Sequence, residues 1–370
     1  MIAGIELGKK YAQVCVKTDQ MKEPESLTLV AGTENYCIPI DADIENKSEL
    51  QKVFRKLWKL IAPYGAKESL EYLVFCLEEQ SEKMRENLLE IAEIYDIPKI
   101  KIRFMEKKEC FCSYVLNQSA ELLSHNALLI ENKDGKKEKY ILFKRSRMTP
   151  VIAEVQDLTE KTLEDIFLEH GISSVFLVGD DFEEAWMQQN LKLLKSGKRV
   201  FAGKNLFVKG ACYRGMELKE GCENYLYLGK EKVCCNIALK TVRDGNEVYF
   251  PLVEGGKNWY ESNTSIDVLL LEEPELEVVI LPINGKEKKT IFVELADLPE
   301  RPKKTTRLRI QVEFLNPSNA KLYIRDLGFG ELYSILKPES NNLVWRSCKI
   351  RRLDNETYQG EYGTQYVEYL

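Results

Sequence analysis

Residues 4–10, Gly-Ile-Glu-Leu-Gly-Lys-Lys, set one carboxylate, Glu6, between two glycines, Gly4 and Gly8, and follow them with two cations, Lys9 and Lys10. Glycines allow a backbone to approach phosphate closely, N–H groups and lysines neutralise it, and a carboxylate can position Mg²⁺ or water. The chemistry such a turn could serve is phosphate binding or phosphoryl transfer. Histidine acid–base chemistry has little to draw on: the two histidines, His125 and His170, read as surface or capping residues. None of the ten cysteines falls in a C-x-x-C pair, so they read as ordinary buried thiols and no metal site is expected. Cys110 and Cys112, two apart on an expected helix, should point to different sides, and Cys234 and Cys235, neighbours on an expected strand, to opposite faces.

The bulk properties narrow the partners. At 370 residues with 44% apolar content the chain can bury two or three separate cores. A net charge of −6 over 30% charged residues leaves no basic stripe of the kind that a phosphate backbone requires, so nucleic acid is excluded as a partner. The opening residues enter a strand-like segment directly, and no apolar run nears the ~20 residues that cross a bilayer. The expectation is a cytoplasmic protein without a membrane partner.

The elements that would position the turn follow from periodicity. Residues 2–7 and 11–17 alternate apolar with polar around Gly8-Lys9-Lys10, a hairpin signature, with a third short strand near 27–30 or 36–40. Leu50, Val53, Phe54, Leu57, Trp58 and Ile61 recur at helical spacing and are stopped by Pro63 and Gly65. A strand at 72–77, a helix at about 80–95, a strand at 100–104 and a helix at about 106–123 complete a β-β-β-α-β-α-β-α set. The order then repeats: strands at 127–131, 139–144 and 150–155, helix 159–169, strand 174–178, helix 183–195, strand 199–201 and helix 204–216. Such repetition predicts two α/β halves, 1–124 and 125–220, the second reduced in size. Residues 221–335 read as short strands parted by Gly, Asn and Pro turns, predicting an antiparallel β-sandwich. Residues 336–370 turn polar, with Tyr358, Tyr362, Tyr366 and Tyr369 and the helix-interrupting Gly360 and Gly363; they are expected to be an unstructured tail or a partner-docking segment.

This layout and its motifs resemble the actin-like ATPase superfamily, in particular its DnaK-type heat-shock chaperones. Gly-Ile-Glu-Leu-Gly-Lys-Lys-Tyr is similar to the first phosphate loop of that family, Gly-Ile-Asp-Leu-Gly-Thr-Thr-Tyr. V-F-L-V-G-D-D-F at 175–182 and G-K-N-L-F-V-K-G-A at 203–211 resemble its adenosine loop and the segment after it, and Tyr36-Cys37-Ile38-Pro39-Ile40 falls where the family has an Ile-Pro or Thr-Pro turn. The stretch 295–331 resembles the last strands of the chaperones' β-sandwich substrate domain. The resemblance implies duplicated RNase H-like α/β halves followed by a β-sandwich, in a short, divergent bacterial family.

It also implies a nucleotide pocket, and implies that this one is eroded. The expected Asp is Glu6, and Lys9 and Lys10 replace hydroxyl donors. The second phosphate hairpin is I-E-N-K-D-G-K-K at 130–137, where Glu131 holds the carboxylate position but only Gly135 remains of the glycines. Asp180 and Asp181 follow Gly179 and would repel phosphate by roughly 4 kcal/mol at about 4 Å in an effective dielectric near 20; Asp180 could instead cap the next helix. Lys204, Lys209 and Gly210 belong to the segment after the adenosine loop. These positions make a relic of a nucleotide site, with Glu6 and Glu131 as its only candidate catalytic groups, no metal ligands and no resident cofactor beyond a conceivable Mg-ATP. Two functions stay open: a non-enzymatic, chaperone-like interaction or scaffold protein taking a protein or extended peptide through 221–335, and a minimal, weakly hydrolysing ATP-dependent chaperone.

Overall fold

The computed structural model describes the chain except residues 31–34, 66, 79, 134, 146–150, 180–181, 183, 222–224, 244, 272–273, 284–286, 296–297, 329–343 and 350–370. The chain divides into two compact units, Met1–Tyr227 and Leu228–Leu370.

In the first unit, β1 (Ile2–Leu7) and β2 (Tyr11–Lys17) form the antiparallel hairpin, closed by a hydrogen bond from the Gly8 amide to the Tyr11 carbonyl at 3.0 Å. The third strand is divided into two short pieces, β3 (Glu25–Ser26) and β4 (Ile38–Pro39), both antiparallel to β2. Helix α1 (Lys47–Ile61) begins at Asn46, whose side chain accepts from the Ser48 and Glu49 amides, and buries Leu50, Val53, Phe54, Leu57, Trp58 and Ile61, the six positions that the periodicity marks. Strand β5 (Tyr72–Leu77), helix α2 (Glu82–Ile94), strand β6 (Ile102–Glu106) and helix α3 (Lys107–Leu116) follow. The expected helix over 106–123 ends at Leu116; a separate 3₁₀ turn covers Ala120–Leu123. Sheet order is β3-β2-β1-β5-β6, with β5 parallel to both β1 and β6.

A second sheet takes up β7 (Asn126–Lys133), β8 (Lys136–Arg145), β9 (Val151–Asp157), β10 (Ile172–Gly179), β11 (Arg199–Gly203) and β12 (Tyr225–Tyr227), with helices α4 (Leu163–Glu169), α5 (Glu184–Lys195) and α6 (Leu206–Glu220) interleaved. Its order is β11-β10-β7-β8-β9-β12. In both sheets a three-strand antiparallel meander begins at the central strand, and parallel strands extend the sheet on that strand's other side. Strand β12, which periodicity did not mark, joins the edge beside β9.

Helix α6 packs close to the first sheet and to α3 because glycines remove the obstructing side chains. A Cβ on Gly210 would lie 1.9 Å from the Cys110 carbonyl oxygen, and one on Gly4 would lie 2.7 Å from that of Val208. Helix α3 is covered on all sides, so Cys110 and Cys112 are both buried although they point differently. Among the described residues no helix is long and apolar enough to cross a membrane.

The second unit is antiparallel. One sheet runs β14 (Asn246–Val253), β13 (Cys235–Arg243), β16 (Glu275–Pro282), β17 (Lys289–Glu294); the other runs β15 (Thr264–Leu270), β18 (Thr306–Asn316), β19 (Asn319–Asp326), β20 (Val344–Lys349). One apolar cluster draws Ile237, Leu239, Val278 and Val293 from the first of these sheets and Leu308, Ile310, Val312 and Ile324 from the second. Only Cys235 of the adjacent cysteines lies in a strand. Strand β20 corrects the expectation of an unstructured tail from 336 onward: residues 344–349 pair with β19. The four tyrosines of the tail lie outside the described residues.

Candidate functional site

Glu6 is the sixth residue of the chain and the penultimate residue of β1, paired with Gln13 on one side and Cys76 on the other. These central-strand neighbours leave it 1% exposed. Glu131 occupies the matching stretch of β7, the central strand of the second sheet, and is also buried. Between the two carboxylates stands a residue that no motif identified. Lys107, the first residue of α3, donates to Glu131 Oε1 at 2.7 Å, and its ammonium is 4.0 Å from Glu6 Oε1. The ring of Phe207 on α6 faces the same ammonium, 5.0 Å from ring centroid to nitrogen.

The two carboxylates share the cation unequally. Neither oxygen of Glu6 has a hydrogen-bond partner among the described residues. Burial pushes its carboxyl up to about 7 despite the pull of Lys107, with Glu131 and Glu78 adding to the rise. Burial alone would lower the pKa of Lys107, but Glu131 and Glu6 outweigh it and hold the ammonium charged. Tyr11 is raised by burial and then by Glu6. Glu78, just beyond β5, pairs with Lys133; burial raises its carboxyl, but this bond and the field of Lys107 bring it below its ordinary value. Behind Glu6, Gln13 is fully buried and donates to the Lys204 carbonyl at 2.8 Å, while its Oε1 has no hydrogen-bond partner among the described residues.

The arrangement is a closed ionic cluster of one ammonium and two carboxylates, with charge 0 when Glu6 is protonated and −1 when it is not. A cation entering between Glu6 and Glu131 would have to displace Lys107. Among the described residues no group of three or more His, Cys, Asp or Glu could hold a metal ion.

The remaining positions of the sequence-derived site are dispersed. Lys9 and Lys10 are exposed at the tip of the first hairpin. Gly4 and Gly210 are packing positions for α6, as described above. Gly135 has φ +85° at the second hairpin turn, with nothing near its missing Cβ, as an Asp-Gly turn requires. Gly179 has φ +108°, and a Cβ there would lie 2.5 Å from the Asn132 carbonyl oxygen. Asp180 and Asp181 lie outside the described residues. Lys204 is exposed, and Lys209 lines a polar hollow of about 490 Å³ together with Lys22, Glu23, Glu25, Tyr36 and Asn205. The structure therefore joins Glu6 and Glu131 from the expected set and adds Lys107. Sequence offered no signal for that lysine, since it lies 101 residues from one partner and 24 from the other.

The C-terminal part of a family of unknown function, DUF5716, matches residues 27–230, and a domain of unknown function, DUF8552, matches residues 232–348. No curated protein matches the chain. Among solved structures, the chain is similar to a Bacteroides thetaiotaomicron protein described as having an actin-like ATPase fold and unknown function, at 13% identity and TM-score 0.32, covering 60% of this chain and 96% of that one. An inorganic polyphosphate/ATP-glucomannokinase from Arthrobacter sp. strain KM is similar at 8% identity and TM-score 0.36, over 59% and 98% of the two chains. The Aquifex aeolicus Ppx/GppA phosphatase is similar at 13% identity and TM-score 0.31, over 48% and 67%.

Proposed function

We propose, for a chain that belongs to the family of unknown function DUF5716 through residues 27–230, which match that family's C-terminal part, a non-enzymatic, cytoplasmic interaction protein. In this reading its nucleotide-type cleft is sealed by its own lysine. The observation that carries it is Lys107, held between Glu6 and Glu131. In an actin-like ATPase plan, with two RNase H-like halves, these carboxylates would face a nucleotide's cation. Here a covalently tethered ammonium supplies positive charge at that place, at an effective concentration that free Mg²⁺ has to overcome. The shared strand order of the two sheets supports the duplicated plan, and the sequence motifs favour its DnaK-type branch.

The second unit is then the working surface. Its two antiparallel sheets around one core support a β-sandwich like that of a chaperone substrate domain. Tyr249, Phe250 and Phe292, exposed on the outer strands of the first of those sheets, suit an extended peptide or a protein partner. A second reading, a minimal ATP-binding chaperone, is favoured by the exposed Lys9 and Lys10 beside Gly8. Steady-state ATP hydrolysis by the full chain separates the two. Turnover at background is expected; turnover that Glu6→Gln or Glu131→Gln abolishes would overturn the non-enzymatic reading.

A further inference from the structure

Strand β18 alternates strictly: Leu308, Ile310, Val312 and Phe314 enter the core while Arg307, Arg309, Gln311 and Glu313 face out. Across the register, Arg309 stands opposite Asp267 on β15 and opposite Arg325 on β19. Asp267 accepts both arms of the Arg309 guanidinium, at 2.7 and 3.0 Å. Arg307 and Arg325 are exposed and have no carboxylate within ion-pair distance among the described residues. The nearby Asp326 is engaged by Arg301 through two bonds of 2.8 and 2.6 Å. Two arginines directly opposite on one face of a sheet repel each other, a cost that an acidic partner would reverse.

The chain itself carries such a partner. Residues 353–370 include Asp354, Glu356, Glu361 and Glu368, no lysine or arginine, and Tyr358, Tyr362, Tyr366 and Tyr369. Carboxylates pair with guanidinium groups in the bidentate manner, and tyrosine rings stack on their planes. The tether fits as well. Strand β20 lies beside β19 and ends with Lys349 opposite Asn319, six residues, or about 20 Å, along β19 from Arg325. Glu356 and Glu361 follow Lys349 by seven and twelve residues, and an extended chain of those lengths spans up to about 23 and 40 Å.

We propose that residues 353–370 dock in cis on the outer face of the β15-β18-β19 sheet, with Glu356 and Glu361 on Arg325 and Arg307 and the tyrosines stacked over the arginine planes. The surface is then guarded by the chain's own segment. Nucleic acid is a poor alternative occupant, because this face sets Arg307, Arg309, Arg325 and Lys321, four positive charges, against Asp267 and Glu313, two negative ones, too little net charge to hold a phosphate backbone. The inference concerns the second unit and is independent of whether the first binds nucleotide.

The test uses a chain ending at Arg352 and a fluorescent peptide of residues 353–370, read by anisotropy at low and high salt. The peptide should bind the shortened chain, bind the full chain at least tenfold more weakly because the site is filled, and lose affinity as salt rises. R307E/R325E in the shortened chain should weaken binding at least tenfold with an unchanged circular dichroism spectrum, and an E356K/E361K peptide should recover it. No binding at low salt, or equal binding to shortened and full chains, overturns the proposal. So does indifference to both charge reversals, or a full chain that dimerises only when the segment is present, which would seat it on a second copy.

Discussion

Glu6 and Glu131 occupy matching places at the ends of the central strands of two sheets of the same order, yet they live under different electrostatics. Glu131 receives the Lys107 ammonium in a direct 2.7 Å hydrogen bond. Glu6 lies 4.0 Å from that nitrogen, is more deeply buried, and its carboxylate has no hydrogen bond among the described residues. The difference teaches that one cation can neutralise one of two buried carboxylates well and the other only through space. The second can lower its charging cost only by keeping its proton, which is why burial carries Glu6 to about 7.

Removing the shared cation should have the largest effect. Lys107→Met leaves two buried carboxylates without a counter-ion, and breaking a buried pair in this way costs about 3–5 kcal/mol. Chemical denaturation at pH 8 should show that loss, and denaturation at pH 5 should show a smaller one, because Glu6 is then protonated. A loss under about 1 kcal/mol at pH 8 would mean that the lysine is not the counter-charge.

The strand and helix order behind this cluster was legible in sequence, because Leu50 to Ile61 and the runs at 72–77 and 127–131 carry their periodicity locally. The cluster was not. Glu6 and Glu131 were marked by their hairpins, but Lys107 acts across 101 and 24 residues of chain, and lysine after a strand is commonplace. Gly4 was legible as a glycine serving a close approach, but not as to what: it admits a helix backbone, which phosphate-loop reasoning cannot distinguish from a ligand, and Gly210 was marked only as part of the segment after the adenosine loop, not as a packing position. Strand β13 was missed apart from Cys235, since Asn236 and Lys240 interrupt its apolar pattern, and β20 was hidden within a polar stretch.

The second carboxylate gives an effect of opposite sign. A carboxyl whose pKa rises from 4.5 to about 7 on folding adds stability below pH 4.5 and loses it as pH climbs through 7. The full swing for a rise of that size is about 3 kcal/mol, on the order of 1.4 kcal/mol for each unit. Glu6→Gln should therefore flatten the stability profile between pH 4.5 and 8 and leave the protein more stable than wild type at pH 8. An unchanged slope would show that Glu6 titrates like an exposed glutamate.

The two hairpins themselves sharpen the contrast with smaller changes. Gly4→Ala forces a Cβ to within 2.7 Å of the Val208 carbonyl oxygen and should cost about 2 kcal/mol, within the 1–3 kcal/mol of an overpacked core. Gly135→Ala meets open space and suffers only from its φ of +85°, about 1 kcal/mol. Thermal melts of both variants check the order; equal losses would remove the packing role assigned to Gly4.

The most direct test of the proposal that Lys107 seals a nucleotide-type cleft is a calorimetric titration of Mg-ATP into the full chain at pH 7.5, alongside Lys107→Met at a temperature where both remain folded. The account predicts no binding heat for wild type up to millimolar nucleotide. Saturable, Mg²⁺-dependent binding by wild type at micromolar nucleotide, with Lys107 in place, would contradict it.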